Sequence, residues 1–278
     1  MIGTLYVIAT PIGNLDDLSL RATRLLNDCP LIVAEDTRRT ATLLRKIESM
    51  SRMVSFNEHN LSTRMPEILD ALGRHDVALV SDAGTPAIND PGYQLVDAAR
   101  STGHLVMAVA GPSAVVAALS IAGVRATPFA FLGYAPRGRG ERDRWLVEWL
   151  RRPIALVFFE SPNRITEAIA SICRVESARV VVLCRELTKV HEQSVKAPAI
   201  EIEAMLADGR IPQRGEFVVV IEAATVTSSE ADPEELIRTA LANGMRASEA
   251  AREVAAMTNR PRSDLYQIAL RLKSSQSG

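Results

Sequence analysis

Apolar residues recur along the chain in short runs, separated by stretches with helical spacing. The run at 5–10 stops at Pro11 and Gly13, and similar runs recur at 31–34, 53–56, 77–80 and 105–110. Between them, Leu18, Ala22, Leu25 and Leu26 share one helical face, and residues 37–47 and 65–72 repeat that pattern. Short β-branched runs alternating with helical segments mark βαβ units, so the pattern predicts a parallel sheet with helices on both faces. A second α/β block follows, with strands expected at 129–133, 154–159, 180–184 and 217–221 and helices at 141–150 and 165–173. From Asp232 the spacing is helical, carried by Leu236, Leu241, Ala250, Val254, Leu265, Ile268 and Leu272. Asn243-Gly244 and Asn259-Arg260-Pro261 break it into three short helices. The expected organisation is an N-terminal α/β lobe over 1–115, a C-terminal α/β lobe over 116–226 and a helical tail domain over 232–273. A linker is expected at 225–232 and an irregular end at 274–278.

Polar residues concentrate directly after the predicted strands, where open α/β sheets bind ligands. Thr10-Pro11-Ile12-Gly13-Asn14 is a tight turn that lets backbone approach a ligand. In Glu35-Asp36-Thr37-Arg38, either Asp36 or Thr37 caps a helix, and Arg38 is available to a phosphate or an acid. Ser81-Asp82-Ala83-Gly84-Thr85-Pro86, continued by Asn89-Asp90-Pro91-Gly92, holds more small and polar residues than a structural loop requires. Asp82 offers acceptors to hydroxyl or amino groups, and Gly84 leaves room for backbone contact. Gly111-Pro112-Ser113-Ala114 opens a helix whose N-terminus points at the same place. In the second block, Phe159-Glu160-Ser161 and Arg185-Glu186-Leu187-Thr188-Lys189 follow strands in the same way. Glu186 and Lys189 read as either an ion pair or an acid/base pair.

The composition narrows the field. The chain has 278 residues, and at 4% aromatics its core must be mostly Val, Ile, Leu and Ala, which suits buried strands covered by helices. A net charge of −1 excludes RNA binding by bulk electrostatics, so any RNA contact has to be a local patch. Arg137, Arg139, Arg142 and Arg144, followed by Arg151-Arg152, form one candidate. Arg260, Arg262, Arg271 and Lys273 form another, nearly cancelled by nearby acids. Cys29, Cys173 and Cys184 have neither disulfide-framework nor zinc spacing, and no His-Glu-x-x-His occurs, so no metal is expected. The missing Gly-x-Gly-x-x-Gly and Walker A segments disfavour dinucleotide and P-loop enzymes. The N-terminus carries no basic region, and its apolar run is too short for a signal or a membrane span, so a cytoplasmic protein without membrane partners is expected.

Taken in order, these loops are similar to those of the 16S (small-subunit) ribosomal RNA cytidine-2′-O-methyltransferase I family, within the tetrapyrrole methylase superfamily. The carrying residues are Thr10 to Leu15, Ala34 to Arg38, Ser81 to Pro86 with Asn89 to Gly92, Gly111 to Ser113, Phe159 to Ser161, Arg185 to Lys189, and Gly215-Glu216. Ser113 stands where a Cys also occurs in the family, and both are small. The resemblance implies an α/β fold of two tetrapyrrole-methylase-type lobes with the cofactor cleft between them, plus a small helix-turn-helix-like C-terminal segment. It implies S-adenosyl-L-methionine as cofactor, 16S rRNA within the 30S subunit as partner, a homodimer, and methylation of a cytidine ribose in the decoding region. Donor contacts are expected at Pro11, Gly13, Asp82, Ala83, Gly84, Thr85, Ser113, Ala114, Phe159, Gly215 and Glu216. Substrate contacts are expected at Asn14, Arg38, Asn89, Asp90, Arg137 and Arg139. A ribose hydroxyl needs a proton acceptor, for which Glu186, Lys189 and Asp36 are the candidates. A methyltransferase acting on a tetrapyrrole or other small molecule, and a non-catalytic ribosome-assembly factor, remain as alternatives.

Overall fold

The computed structural model describes residues 3–224, 232–258 and 260–275, which fall into two compact units divided after Ala224. The expected linker at 225–231 and the last residues, 276–278, lie outside the described residues.

The first unit holds two sheets. Strands β1 (Thr4–Ile8), β2 (Leu31–Ala34), β3 (Arg52–Ser55), β4 (Val77–Val80) and β5 (Leu105–Val109) form a parallel sheet in the order β3-β2-β4-β1-β5. Every residue of β2 and β4 is buried, which explains their unbroken apolar runs. Helices α1 (Leu20–Asp28) and α2 (Thr37–Lys46) cover one face, setting Leu26, Leu43 and Leu44 against Ile8, Ile32 and Val80. Helices α3 (Leu61–Leu72) and α4 (Gly92–Ser101) cover the other, with Ile68, Leu72 and Leu95 against Leu5, Val33 and Leu79. Since β2, β4, β1 and β5 are consecutive neighbours, the loops that follow them lie side by side at one sheet edge. This order brings together four polar loops that are far apart in sequence.

Helix α5 (Ala114–Ile121) follows β5 but packs on the second sheet, its Val115, Ala118 and Leu119 meeting Val157, Val182 and Val220. That sheet runs β6-β7-β10-β8-β9, from β6 (Phe129–Tyr134), β7 (Ala155–Glu160), β8 (Val180–Arg185), β9 (Gln193–Pro198) and β10 (Phe217–Ile221). Only β6 and β7 pair in parallel; the other pairs are antiparallel. Its far face is covered by α6 (Arg139–Leu150), α7 (Ile165–Glu176) and α8 (Ala199–Ala207). Cys29 and Cys184 are buried and Cys173 is half-buried, all three as free thiols.

The second unit consists of α9 (Pro233–Ala242), α10 (Ala247–Thr258) and α11 (Arg262–Ser275) around its own core of Ile237, Ala250, Val254, Leu265, Ala269 and Leu272. Asp232 caps α9 by accepting from Glu234 N at 3.0 Å. Helix α11 runs through Ser274 and Ser275, which had been expected to be irregular. Among the described residues no helix is long and apolar enough to cross a membrane.

One member of the basic cluster belongs to the interior. Arg142 is 1% exposed, so it cannot meet RNA as the spacing suggested. Its Nε donates to Ser171 Oγ at 2.9 Å, and its Nη1 donates to the carbonyls of Pro136 and Arg137, both at 3.3 Å. Arg164 Nη2 donates to Ala135 O at 2.5 Å and lies 3.1 Å from the Glu160 carboxylate, which is itself buried. Two guanidiniums thus hold three successive carbonyls at the end of β6. Residues alternate along β7, so Glu160 shares the face of Leu156 and Phe158 and meets these arginines beneath the loop. Burial pushes the Glu160 carboxyl up, while the Ser161 N–H and the two arginines oppose that shift. Replacing Arg142 with Ala strands several buried acceptors and is expected to cost about 2–4 kcal/mol in denaturant unfolding. Arg144→Ala, which removes no such contacts, is expected to stay within about 0.5 kcal/mol.

Candidate active site

The polar edges of both sheets of the first unit border a cleft of about 280 Å³. Ile12, Ala83 and Ala114 line it from the first lobe, and Tyr134, Phe159, Leu187, Glu216 and Phe217 from the second. The volume is near the small end for ligand pockets, and the mixture of apolar walls with a few polar groups is usual for them. Three rings pack at its wall, with Phe159 centred 4.8 Å from Phe131 and 5.8 Å from Tyr134.

The rim is a tight loop after β8. Glu186 and Thr188 have φ of 51° and 65°, a left-handed conformation that costs a non-glycine residue about 1–3 kcal/mol. Several hydrogen bonds hold it there. Glu186 N donates to Glu216 O at 2.9 Å, Thr188 N donates to Glu192 Oε2 at 2.6 Å, and Thr188 Oγ1 accepts from Asn14 N at 3.1 Å. Lys189 Nζ donates to Glu186 Oε1 at 2.8 Å and to Glu216 Oε2 at 2.9 Å. Glu186 Oε1 also accepts from Glu216 N at 2.9 Å, so both side-chain bonds of Glu186 fall on one carboxylate oxygen. Burial pushes the Glu186 carboxyl up, but the Lys189 and Glu216 hydrogen bonds prevail and hold it below the usual carboxylate range. Burial works against the Lys189 charge, yet its two carboxylate partners hold its pKa above the ordinary lysine value.

Two glycines make this contact possible. A Cβ on Gly13 would run into the Lys189 side chain, Thr188 Oγ1 and Leu187 O, and one on Gly215, whose φ is +87°, would lie 2.5 Å from the Glu186 side chain. On the first-lobe side, Thr10 and Gly84 exchange two backbone hydrogen bonds of 2.9 and 3.0 Å, which fasten the Pro11 loop to the Asp82 loop. Thr85 Oγ1 donates to Pro112 O at 3.2 Å and ties in the third loop.

The structure brings most of the expected donor residues to this cleft. Ala83, Ala114, Phe159 and Glu216 line it, and Gly13, Gly84, Ser113 and Gly215 adjoin lining residues. Pro11 and Asp82 face elsewhere: both line a smaller hollow against α2. Of the expected substrate residues, Arg137 and Arg139 are exposed and make no salt bridge among the described residues. Arg38 donates Nη2 to Asp36 Oδ2 at 2.7 Å, and Asp36 Oδ1 caps α2 by accepting from Arg38 N at 2.9 Å. These bonds push Asp36 down to about 2 and occupy both of its oxygens, which suits a cap. Asn14 caps a short 3₁₀ turn, Leu15–Asp17. Asn89 has φ of 68° and approaches Gly133. Asp90 Oδ1 accepts from Ala87 N and Gly92 N at 3.0 and 2.7 Å and so organises its own turn. Sequence reasoning overlooked the apolar lining, namely Ile12, Tyr134, Leu187 and Phe217. Ile12 and Leu187 stand inside the quoted motifs, and their apolar character amid polar neighbours was the available signal. Among the described residues no group of His, Cys, Asp and Glu is placed to hold a metal ion.

Comparison with known proteins agrees with this geometry. Residues 4–203 match the family of Tetrapyrrole (Corrin/Porphyrin) Methylases. Uroporphyrin-III C-methyl transferase from Thermus thermophilus, solved with S-adenyl homocysteine, shares the fold at a TM-score of 0.56 and 20% identity, over 79% of this chain and 97% of that one. Fold and family define a methyltransferase that uses S-adenosylmethionine.

The relatives go further. Ribosomal RNA small subunit methyltransferase I of Neisseria meningitidis serogroup B is 40% identical over 98% of this chain and 94% of its own length. The protein of the same name from Halalkalibacterium halodurans is 37% identical over 96% and 94%. Residues 227–273 match the RsmI C-terminal HTH domain. The chain belongs to the ribosomal RNA small subunit methyltransferase I family.

Gly13→Ala and Gly215→Ala are expected to push the rim loop away and weaken donor binding at least about tenfold, read by calorimetry. Gly103→Ala, at an exposed turn with open space around it, strains its own turn but is expected to leave donor affinity unchanged.

Proposed function

We propose that this protein transfers a methyl group to the ribose 2′-hydroxyl of a cytidine in the decoding region of 16S rRNA. It acts on the 30S subunit, as a homodimer, in the cytoplasm. The reading is carried by a cleft lined by Tyr134, with Arg137 and Arg139 exposed in the segment that follows it, in a chain related over nearly its full length to proteins named for small-subunit rRNA methylation. Those two arginines offer phosphate contacts on a loop whose carbonyls are held by Arg142 and Arg164.

The cleft suits the donor. The Phe159 and Tyr134 rings offer faces to a heteroaromatic ring or a cation, and Glu216 adds negative charge at the rim. When bound, S-adenosylmethionine supplies an electrophilic methyl on a positively charged sulfur. Ala83, Ala114, Phe159 and Glu216 hold it, with Gly13, Gly84, Thr85, Ser113 and Gly215 shaping the walls. The apolar lining excludes water, and positioning of the hydroxyl supplies much of the rate.

Glu186 accepts the proton of the hydroxyl. It is ionised at neutral pH, and its Oε2 carries none of the Lys189 and Glu216 bonds, which all fall on Oε1. Lys189 remains protonated and holds Glu186 in place. Asp36 has both carboxylate oxygens bound by Arg38, one of them also capping α2, and so fits a capping role rather than base catalysis.

Labelled donor and 30S subunits lacking the modification test the activity. Label is expected in ribose, strongly on 30S and weakly on naked 16S rRNA; no ribose label refutes the reading. The pH profile separates the two candidate bases. The Glu186 pKa is lowered, so its base form is complete at neutral pH and is lost only as pH falls through the acid range. The rate is therefore expected to stay flat from about pH 6 to 9. The Lys189 pKa is raised, so a lysine base would make the rate climb about tenfold per pH unit over that range. Glu186→Gln is expected to lower turnover by about 10²–10⁴ while keeping donor affinity.

A further inference from the structure

The wall of the cleft has a second side. Ile12 and Ala83 face the cleft, but their neighbours Pro11 and Asp82 line a separate hollow of about 130 Å³ against α2. The hollow is too small for the donor and of a size for a single flat ring. Pro11, Leu15 and Leu43 supply apolar walls. Asp82 and Arg39 supply the polar edge, with Arg39 Nε 3.5 Å from Asp82 Oδ2. Asp82 is aimed by its other oxygen, since Oδ1 accepts from Asp36 N at 2.9 Å. Thr42 stands exposed at the hollow's edge.

An acceptor beside a donor is the complement of cytosine, which presents the N4 amino group next to the N3 and O2 acceptors. A carboxylate accepting from cytosine N4 is an established pairing. Uracil would set its O4 against the Asp82 carboxylate, acceptor against acceptor. Enzymes that work on one nucleotide of a folded strand commonly turn it out into a fitted pocket.

We propose that this hollow receives the base of the target cytidine, with Asp82 accepting from N4 and Arg39 donating to the N3/O2 edge. The ribose then lies across the shared wall of Pro11-Ile12 and Asp82-Ala83, with its 2′-hydroxyl towards the cleft. The assignment rests on the cytidine 2′-O-methylation reading, and it moves the Asp82 carboxylate from the donor to the substrate.

The test uses the full chain, labelled donor, and 30S subunits reconstituted with C or U at the methylated position. Wild type is expected to prefer C by about tenfold or more. Asp82→Asn, whose amide can present N–H to uracil O4, is expected to lose most activity on C and narrow or invert that preference. Its donor affinity, measured by calorimetry without RNA, is expected to remain within about threefold of wild type. Thr42→Phe, a filling substitution at an exposed position, is expected to raise KM for 30S and leave donor affinity alone. Loss of donor affinity in Asp82→Asn overturns the assignment, as does an unchanged C-to-U ratio in Asp82→Asn together with an unchanged KM in Thr42→Phe. A wild type that labels no ribose refutes the reading of function itself, and the hollow's assignment with it.

Discussion

Lys189 grips two carboxylates at once, and the rim of the cleft depends on that grip. Glu186 and Thr188 hold a backbone conformation that ordinary side chains resist. The ammonium draws Glu186 and Glu216 together and adds to the hydrogen bonds of Glu186 N, Thr188 N and Thr188 Oγ1 that hold the loop against that strain. The same ion triad holds the Glu186 carboxyl low and the Lys189 ammonium high at the rim of a largely apolar cleft. It also explains why Gly13 and Gly215 must lack side chains: the loop they contact stands where a Cβ would be.

Topology supplies the rest. The strand order places β4 between β2 and β1, so loops at 35, 82, 11 and 112 become neighbours. In the second sheet β10 runs antiparallel between β7 and β8, and its first residue, Phe217, pairs with both Glu160 and Arg185. The segment before it, Gly215-Glu216, is thereby delivered to the rim. A parallel strand at that position would have sent those residues to the opposite edge.

Much of this was legible in the sequence, for definite reasons. Buried strands such as Leu31–Ala34 and Val77–Val80 carry unbroken apolar runs, and the polar residues after them stand out. Less was legible where one residue type serves two ends. Arg142 looks like its neighbours Arg139 and Arg144, and only the packing of α6 on α7 turns it inward to Ser171. Asp82 and Ala83 are adjacent in one motif, yet the strand-end geometry set by the Thr10–Gly84 bridge sends them to opposite sides. Strand β9 and helix α8 were missed because β9 is an edge strand, with polar residues at Gln193, Ser194 and Lys196, and runs straight into the helix at Pro198. Helix α4 was masked by the turn motif that starts it at Gly92.

The Thr10–Gly84 bridge has a mechanical meaning. Two backbone hydrogen bonds join loops from neighbouring strands into a short ribbon, with Ile12 and Ala83 lining the cleft and Pro11 and Asp82 lining the hollow. Backbone pairing, not side chains, therefore sets how far apart the two chambers stand, so that separation survives substitution at these four positions as long as the bridge holds.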